Sequence, residues 1–82
     1  MLVISFNSTH HAMFAEKMLK KAEINIMVVP TPRQIDKSCG ISIKINDEDM
    51  QKSSETIAKY NIELKGIYRV TGDSAEQVYP DK

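Results

Sequence analysis

The sequence predicts a single small α+β domain. Three observations predict it: two stretches with helical apolar spacing, short runs of apolar and β-branched residues around them, and a length of 82 residues, enough for one domain and too short for two. Leu2 to Phe6 reads as a short apolar strand. Ser8 is a good N-cap for a helix beginning just after it, because its hydroxyl can accept from a free first-turn amide. Ala12, Ala15, Leu19 and Ala22 then form one stripe, with His11 and Met18 on its flank and Glu16, Lys17, Lys20 and Glu23 mostly opposite. That is an amphipathic helix running to about Ala22.

Ile24 to Val29 is a β-branched strand, ended by Pro30 and Pro32, which cannot donate to a ladder. Thr31 to Gly40 is a loop long for a hairpin connection, and such loops are often functional. Ile41, Ile43 and Ile45 alternate with Ser42, Lys44 and Asn46, the period of a half-buried strand. Asn46 or Asp47 is expected to cap a second helix. Asp47, Glu48 and Asp49 in its first turn complement the positive end of the helix dipole. Met50, Ser53, Ser54, Ile57 and Ala58 fit its buried face. Ile62 to Val70 is expected to be the last strand, with a bulge where the apolar phase shifts across Gly66. Residues 1–70 would then be the domain, and residues 71–82 a polar, flexible C-terminal tail.

The order is β-α-β-β-α-β. A ferredoxin-like arrangement closes it most simply, as a four-stranded antiparallel sheet with two helices on one face, because right-handed crossovers put both helices on the same side. In that arrangement the end of the first strand, the start of the first helix and the loop before the third strand meet at one edge. Asn7-Ser8-Thr9-His10-His11 would thereby approach Ser38-Cys39-Gly40.

Composition narrows the function. Lys plus Arg and Asp plus Glu are each 11, a net charge of zero, which argues against a nucleic-acid binder or a surface drawn to anionic membranes. No apolar run approaches the roughly 20 residues of a membrane span. The apolar N-terminus lacks the basic flank and small-residue cleavage site of a signal peptide. A single cysteine cannot form an internal disulfide and fits a reducing cytoplasm. There is no Cys-x-x-Cys pair and no Gly-rich phosphate loop.

The chemistry therefore centres on Cys39. A helix N-terminus offers free amides and partial positive charge, which favour a thiolate. His10 or His11 could strengthen that effect or move a proton. Ser8, Thr9, Arg33, Ser38 and Gly40 are the candidates for contact with whatever the sulfur receives. Each residue also has a plainer reading. A lone cysteine is often a buried small hydrophobe. Adjacent histidines on a helix point about 100° apart and rarely share an ion, so no metal site and no cofactor is expected.

Several of these segments together resemble a known family. Phe6-Asn7-Ser8-Thr9-His10-His11-Ala12, Glu16-Lys17, Val29-Pro30-Thr31-Pro32-Arg33, Ser38-Cys39-Gly40 and Gly66-Ile67-Tyr68 occur in an order similar to that of small bacterial selenium/sulfur (Se/S) carrier protein-like chains, over about residues 2–70. The resemblance implies that Cys39 is the carrier atom, holding a persulfide or selenopersulfide for passage from a donor protein to an acceptor protein. It implies a carrier rather than a turnover enzyme, acting in the cytoplasm, with no nucleic acid or membrane as partner. Two alternatives stay open. One is a non-catalytic binding or regulatory module that dimerises through its open sheet face, with Ser5, Met27, Ser42, Lys44 and Tyr68 on it. The other is a small cysteine enzyme of the thiol peroxidase type, disfavoured by the lack of a resolving cysteine.

Overall fold

The computed structural model describes residues 1–36 and 40–79. Its elements are β1 (Leu2–Ser5), α1 (Thr9–Lys21), β2 (Ile26–Pro30), β3 (Ile41–Ile45), a 3₁₀ turn (Asp47–Asp49), α2 (Met50–Lys59), β4 (Gly66–Thr71) and β5 (Ser74–Tyr79). All strands join one antiparallel sheet in the order β2-β3-β1-β4-β5. β1 is its central strand, pairing Ser5 with Ser42 of β3 on one side and with Gly66 of β4 on the other.

The expected four-stranded sheet is thus corrected to five strands. The fifth is built from residues 74–79, inside the segment expected to be a tail. Its alternation is mostly polar, so hydrophobic periodicity does not reveal it. Its signal is instead the turn: Thr71 pairs with Ser74 across a two-residue Gly72-Asp73 loop. Gly72 has φ +53° at the first loop position, where glycine suits a tight hairpin. β4 begins at Gly66 rather than Ile62, and the register irregularity lies between Ile67 and Tyr68, against β5. The backbone passes close to β5 at Gly66, where an added Cβ would sit 3.0 Å from the Tyr79 carbonyl oxygen.

Leu2, Ile4, Ile43, Ile45 and Ile67 share one face of the sheet and one core with Ala12, Ala15, Met18 and Leu19 of α1 and Ile57 of α2. Both helices therefore pack on that face. Each helix ends in the same way. Glu23 (φ 62°) and Asn61 (φ 53°) take the left-handed conformation just past the helix. Behind α1, Glu23 N–H donates to the Lys20 carbonyl and Ile24 N–H to that of Leu19. Behind α2, Asn61 N–H donates to Ala58 and Ile62 N–H to Ile57. These are paired Schellman caps, and in both the following isoleucine is driven into the core. This explains why Ile24 and Ile62 are apolar yet lie outside the strands predicted to contain them. The second helix also starts later than expected: the acidic triplet forms a 3₁₀ turn, and neither Asn46 nor Asp49 makes a side-chain cap bond.

Among the described residues no helix packs on the opposite face of the sheet, yet Val3, Ser5 and Ser42 on it are buried. The β2–β3 connection contributes to this. Thr31 Oγ1 lies 2.7 Å from Ser42 Oγ, and Gln34 Nε2 donates to the Gly72 carbonyl at 2.6 Å. Gly72 sits at the far end of β4 from the Ser5 pairing, and the helices fill the other face. The connection must therefore cross this one. Met27 on edge strand β2 stays exposed.

Ile43→Ala is expected to cost about 2–5 kcal/mol in urea unfolding, because the cavity lies where the sheet meets α1. Glu23→Gly is expected to stabilise by up to about 1 kcal/mol, by relieving left-handed strain at a non-glycine residue. Urea unfolding of the two single variants checks both.

Candidate functional site

The register of β1 assembles the site. Because Ser5 pairs with both Ser42 and Gly66, three segments arrive together: the β1–α1 turn, the connection before β3 and the approach to β4. They enclose a cavity of about 160 Å³. β1 and its turn supply Ser5, Phe6, Asn7, Ser8 and Thr9 to its wall. The β2–β3 connection and β3 supply Thr31, Asp36, Gly40 and Ile41, and Lys65 comes from the segment before β4. The described wall is mostly polar and includes the N-terminus of α1.

Ser8 caps that helix as its sequence suggests. Its backbone is extended, and its Oγ accepts from His11 N–H at 3.2 Å. The same Oγ lies 3.0 Å from His11 Nδ1. The His10 and His11 rings meet edge-on at 6.2 Å between centroids.

Of the residues singled out from sequence, Ser8, Thr9 and Gly40 come together on the cavity wall. His10, His11 and Arg33 are absent from the described wall: His10 and Arg33 are exposed, and His11 is half-buried at the cap. Ser38 and Cys39 lie outside the described residues. Gly40, the residue after Cys39, is fixed by its carbonyl, which accepts from Thr31 N–H at 3.0 Å.

The sequence reading missed Thr31, Asp36 and Lys65. Asp36 closes a turn that starts at Pro32, its N–H donating to the Pro32 carbonyl at 3.2 Å. Its carboxylate meets the Lys65 ammonium at 2.5 Å, and the Lys65 backbone N–H donates to the Ser5 carbonyl at 2.7 Å. The hydrogen bond to Asp36 raises the Lys65 ammonium above the ordinary lysine value of 10.5, and the charge of Asp36 adds to this against an opposing effect of burial. No sequence motif marks this pair; it follows only from the pairing of Ser5 with Gly66, one residue beyond Lys65.

The structure thus defines a small α+β domain with a polar cleft at the end of the central strand β1, beside a helix N-terminus. The family model described as "Putative Se/S carrier protein-like" matches residues 1–69, and the chain belongs to that family. A chain from Aquifex aeolicus (strain VF5), named "Putative sulfur carrier protein", is 32% identical over 79 residues. That match takes in 94% of this chain and 40% of the relative, so the chain spans well under half of the relative's length. No solved structure matches the chain. None of the described helices is long and apolar enough to cross a membrane.

Because the Lys65 pKa is higher in the folded protein than unfolded, its stabilising effect is complete below about pH 10.5 and is lost as the pH rises through the folded value. The stability difference between wild type and Lys65→Met is therefore expected to be constant from neutral pH to about pH 10, and to shrink above it. Urea unfolding across that range measures it. The difference is expected to be small, since both side chains are about a third exposed.

Proposed function

We propose that this chain is a sulfur or selenium carrier in which Cys39 is the carrier atom. The observation that carries the reading, given the family, is the meeting on one cavity wall of the α1 N-terminus and Gly40, the residue that follows Cys39 in sequence. An ionised sulfur is the attacking species in such transfers, and helix amides favour it.

In the proposed cycle the Cys39 thiolate attacks the terminal sulfur of a donor protein's persulfide. The new S–S bond forms at Cys39 as the donor S–S bond breaks, and the donor leaves as a thiolate. An acceptor thiolate then takes the terminal atom, and Cys39 leaves as a thiolate. No net oxidation occurs, so no cofactor is required. Selenium in the terminal position follows the same course. In this reading the Ser8 and Thr9 hydroxyls and the Gly40 backbone contact the transferred atom, Ser38 is its neighbour in sequence, and Arg33, His10 and His11 serve a docked partner as charged or proton-moving groups. The domain acts between protein partners in the cytoplasm, as a carrier and not as a turnover enzyme. The strand order β4-β1-β3-β2, with β5 added at the edge, supports assigning the core of the fold to the ferredoxin-like class.

The reading in which the helix-free sheet face drives dimerisation has less support, since Ser5 and Ser42 on that face are buried within one chain.

Incubation with a low-molecular-weight persulfide is expected to add one sulfur atom to the intact protein's mass, removable by dithiothreitol. Cys39→Ser is expected to abolish the addition with unchanged circular dichroism. Equal masses for the two proteins after treatment would sink the carrier reading.

A further inference from the structure

We propose that β2 is a self-pairing edge: a second copy of this chain extends the sheet across it, β2 against β2, antiparallel about Met27. The proposal is independent of the carrier reading. β2 lies at one end of the strand order and pairs only with β3. The bonds on its inner side fix which groups are free on its outer side. Thr31 N–H donates to the Gly40 carbonyl, and these two residues extend the register in which Pro30 faces Ile41. In an antiparallel ladder, directly opposed residues bond to each other only in every second pair. Thr31, Val29 and Met27 therefore bond inward, and Ile26, Val28 and Pro30 turn their backbone polar groups outward. Proline has no N–H to leave unpaired there. Among the described residues no turn or loop bond reaches the outward groups of Ile26 and Val28.

The two edges of the sheet are built differently. β5 carries Glu76 and Gln77, and its register against β4 is irregular, both of which discourage further pairing. β2 has an unbroken register, and no charge occurs from Ile24 to Pro32. Its apolar side chains are open on both faces: Val28 is 40% exposed on the helix side, and Met27 is 60% exposed on the other. The uncharged run is bounded by Glu23 and Arg33, both exposed. Antiparallel pairing brings the acidic end of each copy to the basic end of the other, whereas parallel pairing would set like charges together. A two-fold axis at Met27 sets Ile26 opposite Val28 of the second copy, and both such pairs exchange two backbone bonds. Pro30 then faces Ile24, whose N–H is already given to the Leu19 carbonyl, so the new ladder ends there without stranding an amide. An axis at Val28 would instead set Ile26 opposite Pro30, which has no N–H to give. Pairing about Met27 uses the same patch on both copies and closes at two.

Sedimentation velocity of the full chain under reducing conditions, from about 10 µM to about 1 mM, tests this. Wild type is expected to pass from monomer to dimer across that range. Met27→Lys and Val28→Lys are each expected to raise the dimer midpoint at least about ten-fold, because a charge would be set against an apolar strand. Both side chains are exposed, so circular dichroism is expected to stay unchanged. The register is read with single cysteines in a Cys39→Ser background. Met27→Cys faces its own copy at a Cα separation of about 4.5 Å, within disulfide reach. Val28→Cys lies diagonal to its copy at roughly 7–8 Å, beyond that reach. Oxidised glutathione is therefore expected to cross-link the first and not the second. A monomer at every concentration would overturn self-pairing and leave the edge to a strand from another protein. A dimer that survives both lysine variants would overturn the edge as its interface, and cross-linking through Val28→Cys rather than Met27→Cys would overturn the register.

Discussion

The register of one four-residue strand governs this molecule. β1 lies between β3 and β4, and its alternate residues serve two faces. Leu2 and Ile4 enter the core with Ile43, Ile45 and Ile67, while Val3 and Ser5 face the side that the β2–β3 connection crosses. Slipping the pairing by one residue would turn Leu2 and Ile4 out of the core, so the hydrophobic effect pins the register strongly. Once it is pinned, the rest of the cleft is determined: Ser5 sets the height at which Gly40, Lys65 and the first turn of α1 meet.

The helices are delivered to this frame by their ends as much as by their faces. Ser8 fixes where α1 begins, at the cavity wall, and the Schellman caps fix where both helices end. Each cap turns the chain sharply and buries an isoleucine, Ile24 or Ile62, beneath the helix it has just left. The cost of a left-handed Glu23 is offset by the two amide bonds it allows and by the apolar area that Ile24 buries. Stability at the helix ends and geometry at the cleft are therefore linked through α1.

The cleft itself is held mainly by polar contacts. The apolar core lies on the helix side of the sheet, and the β2–β3 connection crosses the other side with hydroxyl, amide and charged anchors. Contacts of this kind contribute modestly to stability and are directional.

Much of the core was legible in the residues alone. The stripe Ala12, Ala15 and Leu19, the alternation of Ile41, Ile43 and Ile45, and the cap at Ser8 each fix a local structure through a short-range rule, and each appears as expected. The approach of Ser8 and Thr9 to Gly40 was also legible, as a consequence of element order. β5 was less so, because an edge strand held largely by backbone bonds needs no apolar alternation, and only Gly72-Asp73 marks its turn. The Asp36–Lys65 pair was not legible at all. The two residues are 29 apart in sequence, and a charge carries no local sign of its partner. The sequence by itself determined both helices, the inner strands and the core face, through short-range spacing rules. Only the tertiary structure decided which polar groups surround the cleft, because that depends on strand register, which long-range burial selects.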